Sequence, residues 1–454
     1  MPADRLDLSM RQHLFIASLM AAVCGGVVAQ TPALPPGFNY SETLAAGSIL
    51  DPLRRADGTE IRTRAAWSRQ RAQLLQAFAE DVYGRVPEAA LHLPLRSKVV
   101  EQDAPAFDGL AIRRQVDISL TPGEDALVMH LLLYLPAATA RRVPVRVPVI
   151  VGLNFQGNAS VSDDPGIRAT PVWQAAARRG DPPVRVPFAE ASRGAQRTQW
   201  QVKMLLQRGY GFATVYYGDI EPDYKNAAQL GVRARYVDAG QSEPASDAWG
   251  AISAWAWGLS RVLDYLVTDR RVDAREIVVT GHSRLGKAAD WAAAQDGRFA
   301  ALLSTESGKG GQSLYHRNFG ETVAHLERSF PYWFCGNFAQ WVGRDAQIPV
   351  DGNLLLALIA PRPLYVASAQ EDLFSDPRGE FLSAGSVGGV YALFGRQGLG
   401  TSTMPRPNAP IQHDVAYHVR TGVHDVTAYD WEQYLRFLDQ EFGSPRQRNV
   451  REGK

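Results

Sequence analysis

Cysteine is nearly absent from these 454 residues: only Cys24 and Cys335 occur. Cys24 lies in an N-terminal segment with the features of a cleaved leader, so the mature chain has no internal disulfide and no thiolate metal site. An excess of charge of one sign is also missing. Forty-eight Lys and Arg against 47 Asp and Glu give a net charge of +1, which offers neither nucleic acid nor an anionic membrane surface an electrostatic hold. Beyond the N-terminus no apolar run is long enough to cross a bilayer, so no membrane contact is expected. No internal repeat or low-complexity tract appears. No close His/Asp ligand cluster is visible, so neither a metal nor another cofactor is expected.

The chain does have 45% hydrophobic residues, enough to bury a large core in one big α/β domain or two smaller ones. Arg5 and Arg11 precede an apolar run over 14–28 that ends in Val27-Val28-Ala29, the pattern of a secretory signal. Residues 1–29 are therefore read as a signal peptide and 30–454 as a single catalytic domain, monomeric, secreted or periplasmic and bacterial. Either Met1 or Met10 serves as the start.

After a Pro- and Gly-punctuated stretch over 30–60, the spacing of Trp67, Leu74, Leu75, Phe78 and Val82 predicts a helix over 62–82. Strands are expected at 112–120, 127–135, 147–153, 211–217, 299–304, 363–369 and 415–419, and helices at 199–208, 249–266 and 429–437. Strands alternating with helices imply a mostly parallel sheet covered on both faces, a three-layer α/β sandwich. Two long loops interrupt it, an insertion at about 159–198 and a polar stretch at 219–246; structureless connections of that size are usually functional.

The most informative stretch is Ile277 to Asp290, IVVTGHSRLGKAAD. Strand-forming residues run into Gly281-His282-Ser283-Arg284-Leu285-Gly286, and helix formers follow. A strand, a tight turn and a helix with serine at the turn is the setting of a nucleophile elbow in an α/β-hydrolase, although the second glycine falls one place later than in G-x-S-x-G. A plain βα turn has the same pattern. His282 is read as a packing residue. Asn154-Phe155-Gln156-Gly157-Asn158 stands where such enzymes place half of an oxyanion hole, and reads equally as a polar loop.

The triad order nucleophile, acid, base requires a histidine after Ser283. His424, in Gly422-Val423-His424-Asp425 between the last strand and the last helix, is best placed, whereas His418 lies inside a strand pattern. Glu306 and Asp372 each follow a strand, and either could orient His424.

Together these residues resemble the glucuronoyl esterases of carbohydrate esterase family 15, in particular the bacterial branch. The resemblance rests on GHSRLGKAADWAAAQDGRFA, TESGKGG, GETVAHLERSFPYWFCGNF, PVDGNLLLALIAPRPLYVASAQEDLFSDPRGEF and TGVHDVTAYDWEQYLRF, all in the second half of the chain. It implies an α/β-hydrolase fold with inserted loops around the active site, and hydrolysis of the ester between 4-O-methyl-glucuronic acid side groups of xylan and lignin alcohols. It makes Ser283 the nucleophile, His424 the base, and Glu306 and Asp372 acids, with Glu306 slightly ahead. It gives Arg284 to the oxyanion, and Lys287 and Glu321 to the hydroxyls of the uronic acid. Phe374 stands where many relatives carry tryptophan; it keeps a stacking face but loses the indole donor. An acetyl-xylan or feruloyl esterase is the alternative, and a carbohydrate-binding relative without catalysis is a third reading.

Overall fold

The computed structural model describes residues 38–45, 47–140, 145–237 and 244–445. The proposed signal peptide and Cys24 lie outside them. Contacts separate Met1–Phe38 from Asn39–Lys454, and every element below belongs to the second unit.

Among the described residues twelve strands form: β1 Ser97–Ala106, β2 Ala111–Ser119, β3 Val128–Pro136, β4 Val147–Asn154, β5 Val172–Gln174, β6 Val184–Val186, β7 Gly211–Tyr216, β8 Val272–His282, β9 Ala301–Thr305, β10 Leu364–Ala369, β11 Ile411–Gln412 and β12 Val415–Arg420. Ten of them make one sheet in the order β1-β2-β3-β7-β4-β8-β9-β10-β12-β11. From β7 to β12 neighbouring strands pair parallel. The outer pairings, β1 to β2, β2 to β3, β3 to β7 and β11 to β12, are antiparallel.

The central strands are buried on both faces because each side chain along them enters one of two cores. On β4, Val149 and Val151 face one core and Ile150 the other; on β10, Leu364 and Val366 oppose Tyr365 and Ala367. This is why 147–153 reads as an apolar run without alternation. Helices Ala251–Leu266 and Arg284–Gln295 pack on the first face; Val202–Arg208 and Ala428–Phe442 cover the second. The architecture is the three-layer α/β-hydrolase sandwich.

The expected helix over 249–266 starts two residues later and is buried nearly all round, only Ser260 and Asp264 being partly open. Its tryptophans, with Trp249, are core. The helix expected over 199–208 is two pieces, Arg197–Trp200 and Val202–Arg208, broken at Gln201, whose φ of +44° no α-helix accepts. The 159–198 insertion holds the two-stranded hairpin β5-β6. Trp173 donates its indole N–H to the Gly218 carbonyl at 2.8 Å, which ties the hairpin to the second long loop. Strand β1 was not anticipated. Its sequence SKVVEQDAPA has no alternation, and it is an exposed edge held by backbone pairing with β2.

Candidate active site

Four neighbouring strands of the parallel centre, β8, β9, β10 and β12, each deliver one titratable or nucleophilic group just past their carboxyl ends: Ser283, Glu306, Asp372 and His424. Adjacent strands lie about 4.8 Å apart, so these side chains converge at one sheet edge without help from the outer elements.

Ser283 occupies φ 58°, ψ −131°, a conformation a non-glycine residue adopts only under constraint. The constraint comes from both sides. Its N–H donates to the Thr305 carbonyl at 3.0 Å, and its carbonyl accepts the Lys287 N–H at 3.1 Å, closing the first turn of Arg284–Gln295. Gly281 is required because a Cβ there would sit 2.1 Å from the Leu285 carbonyl oxygen. The amides of Arg284 and Leu285 head the helix, where no intrahelical carbonyl reaches them and the macrodipole is positive. They form one half of a ready anion cradle.

His424 leaves 39% of its side chain exposed. Its Nδ1 lies 2.6 Å from Asp372 Oδ2 and 3.0 Å from Glu306 Oε2. The two acids are not equivalent. Glu306 is buried and already engaged: Arg420 donates to its Oε1 at 2.8 Å, and the Asp425 N–H and His282 Nε2 reach its Oε2 at 3.0 and 3.3 Å. Asp372 makes the shorter contact to His424 and otherwise caps its own turn through Ser375 N–H. By distance Asp372 stands nearer to His424 than Glu306 does, whereas the resemblance puts Glu306 slightly ahead. Burial alone would push the His424 proton off, but Asp372 and then Glu306 outweigh it and raise the imidazole pKa to about 10. For Asp372, burial raises the carboxyl pKa, but His424 and the Ser375 donors outweigh it and hold it below the usual range.

Arg284 is boxed by aromatic rings. Its guanidinium carbon lies 4.9 Å from the Trp333 ring centre, 5.5 Å from Phe330 and 5.9 Å from Phe155, and Phe330 stacks on Trp333 at 3.8 Å. Asp223 pairs with Nη1 and also accepts from Tyr217 at 3.1 Å, Tyr332 at 2.8 Å and the Trp333 indole at 2.7 Å. The cation thus has one fixed orientation next to Ser283, with its Nε buried and without a hydrogen-bond partner among the described residues.

Lys287 is brought together with Glu321, 3.2 Å from its Oε2, but its ammonium also donates to the carbonyls of Ser307 at 2.5 Å and Lys309 at 2.6 Å. All three ammonium protons are used, so in this state Lys287 supports the loop and positions Glu321. The Phe374 carbonyl accepts the Glu321 N–H at 2.9 Å, and its ring meets His325 edge-on at 5.1 Å. Asn154 turns inward to Asn158 and Thr214 and is fully buried. The polar-loop reading of 154–158 fits it better than an oxyanion role for that side chain. His418 is buried between Tyr365 and Asp430.

Sequence reasoning missed Asp223, Arg420, Tyr332 and Trp333, and it read His282 as mere packing. The His282 and His424 rings are 4.4 Å apart. Asp223 and Arg420 are ordinary charged residues in a polar loop and at a strand end; only the fold reveals their partners. His282 had one available signal, its place beside the nucleophile. The sequence also showed no ligand cluster, yet His282, Glu306 and His424 bring one ligand atom each within 4.8 Å of one another. They are 142 positions apart at the extremes, a spacing no motif could carry.

The family profile described as "Glucuronyl esterase, fungi" matches residues 243–395. A carbohydrate esterase of an unknown prokaryotic organism is 42% identical over 409 residues, 90% of this chain and 93% of that protein. The glucuronoyl esterase structure from Solibacter usitatus superposes with a TM-score of 0.83 at 43% identity, covering 88% of this chain and all of that one. The 4-O-methyl-glucuronoyl methylesterase of Podospora anserina is 35% identical over 167 residues, 34% of each chain.

Proposed function

The chain belongs to carbohydrate esterase family 15, the glucuronoyl esterases, and from that premise we propose that it hydrolyses esters of 4-O-methyl-glucuronic acid with a serine mechanism centred on Ser283. It is a carboxylic ester hydrolase. The observation that carries the site assignment is the Asp372, His424 and Ser283 series delivered by neighbouring parallel strands, with His424 Nδ1 held 2.6 Å from Asp372.

Ser283 Oγ attacks the ester carbonyl while Nε2 of neutral His424 takes its proton. The alcohol leaves with that proton, and water then enters to release the uronate from the acyl-enzyme. Negative charge on the carbonyl oxygen meets the amides at the helix start and the Arg284 guanidinium, a charge-assisted donor about twice as strong as a neutral one. Asp223 and the aromatic box keep that guanidinium from swinging away. Glu321, set by Lys287, binds ring hydroxyls of the uronic acid, and Phe374 offers a stacking face. The leaving group is a lignin alcohol, the uronate is carried on xylan, and the enzyme acts as a secreted or periplasmic monomer. Among the described residues no helix is long and apolar enough to cross a membrane.

The test is hydrolysis of benzyl 4-O-methyl-glucuronate against a plain acetyl ester. Strong preference for the glucuronate is expected, and preference for acetyl would move the activity to a general carbohydrate esterase. The pH profile carries a second expectation. Because the flanking acids raise the His424 pKa to about 10, the imidazole is charged below that value and cannot accept the serine proton. The rate constant kcat/KM should therefore climb through the alkaline range, with a midpoint above the ordinary histidine pKa of about 6.5. In Asp372→Asn the midpoint moves down toward that value. An unmoved midpoint in the variant would mean that another group sets the profile.

A further inference from the structure

We propose that His282, Glu306, His424 and Asp372 form a binding site for a divalent transition metal, zinc best, whose occupation switches hydrolysis off. Glu306 Oε2 lies 3.3 Å from His282 Nε2 and 3.0 Å from His424 Nδ1, and the three atoms fall within one 4.8 Å span. A tetrahedral zinc with bonds of about 2.1 Å has ligand atoms about 3.4 Å apart, close to the two separations already made to Glu306 Oε2. Asp372 Oδ2, at 2.6 Å from Nδ1, completes a fourth corner by withdrawing a little under an ångström.

Two imidazoles with carboxylates suit zinc, copper or nickel and not magnesium or calcium. The surrounding charge is favourable. Glu306 and Asp430 share the guanidinium of Arg420, which binds Oε1 of Glu306 and leaves Oε2 facing the histidines. The Asp425 N–H donates to that Oε2 at 3.0 Å and steadies it.

Loss of turnover follows from the arithmetic of imidazole lone pairs. A metal takes the lone pair on Nδ1: the charged ring gives up its Nδ1 proton to solvent, the neutral ring shifts that proton to Nε2, and either way Nε2 is left as N–H. Nε2 is the atom that must accept the proton of Ser283, so the metal-bound ring cannot act as base. This inhibitory part rests on the esterase reading, whereas metal binding itself does not.

The experiment uses the full chain after chelator treatment, titrated with zinc chloride by calorimetry and assayed on benzyl 4-O-methyl-glucuronate. Stoichiometric zinc binding is expected, with inhibition that tracks it, recovery on adding EDTA, and no inhibition by magnesium. In His282→Asn, and in His282→Gln as a second form, zinc affinity and inhibition should weaken at least about tenfold. Ser283→Ala should bind zinc as the parent does. Absence of zinc binding at millimolar concentration, or binding and inhibition unchanged in both His282 variants, would overturn the proposal. Failure to hydrolyse the glucuronate would instead strike the function, while the calorimetry would still decide the site.

Discussion

Alanine at position 283 is expected to lower kcat on a glucuronate ester by about a million-fold, the scale reached when a triad serine is lost. The side chain of Ser283 makes no capping bond to its helix, so its removal takes nothing from the fold. The strained turn is imposed by the Thr305 carbonyl and by Gly281, both of which remain. Melting temperature and KM should accordingly stay near those of the parent, and the pre-steady-state burst of alcohol should vanish. What persists is the contribution of binding and the oxyanion donors acting on water. A variant retaining a thousandth of the activity would show that Ser283 is not the nucleophile.

The second large effect concerns the acids. Asp372→Asn should cost about a thousandfold in kcat, somewhat less than the roughly 10⁴ usual when a triad aspartate becomes an amide. The amide presents an N–H to Nδ1 and favours the wrong tautomer, but Glu306 remains 3.0 Å away to oppose it. Glu306→Gln behaves differently. Arg420 would keep an acceptor there but lose its charged partner while buried, with Asp430 left as its one carboxylate. A stability loss of about 3 kcal/mol is expected, the scale for breaking a buried pair, with a smaller fall in kcat than for Asp372→Asn. Denaturant titration and steady-state kinetics on both variants separate the two roles. If Glu306→Gln were the slower enzyme and as stable as the parent, the assignment of the acids would be exchanged.

The contrast explains how far the sequence could be read. Elements buried on both faces announced themselves, as with 147–153, because a parallel strand in the middle of a sheet has few polar positions to alternate. The elbow was legible because strand, glycine, serine and helix must be contiguous in the chain. His424 followed from its place between the last strand and the last helix. Choosing between Glu306 and Asp372 was out of reach, since the decision lies in Arg420, a residue at the end of another strand. Asp223 was hidden for a similar reason. Its four donors come from residues 217, 284, 332 and 333, and all but Tyr217 are far away in the chain. Strand β1 was missed because pairing holds it, not burial.

The strand order also sets a ruler for the side chains. His424 stands on β12, Asp372 on the next strand and Glu306 one strand further. The short acid is on the near strand and the long one on the far strand, so one added methylene covers part of one added strand spacing. Length at each position is thus tied to distance across the sheet. Aspartate and glutamate, interchangeable in charge, are not interchangeable here: Asp372→Glu would drive its carboxylate into the imidazole, and Glu306→Asp would fall short of it. The architecture therefore specifies reach, and only through reach does it specify which acid serves the histidine.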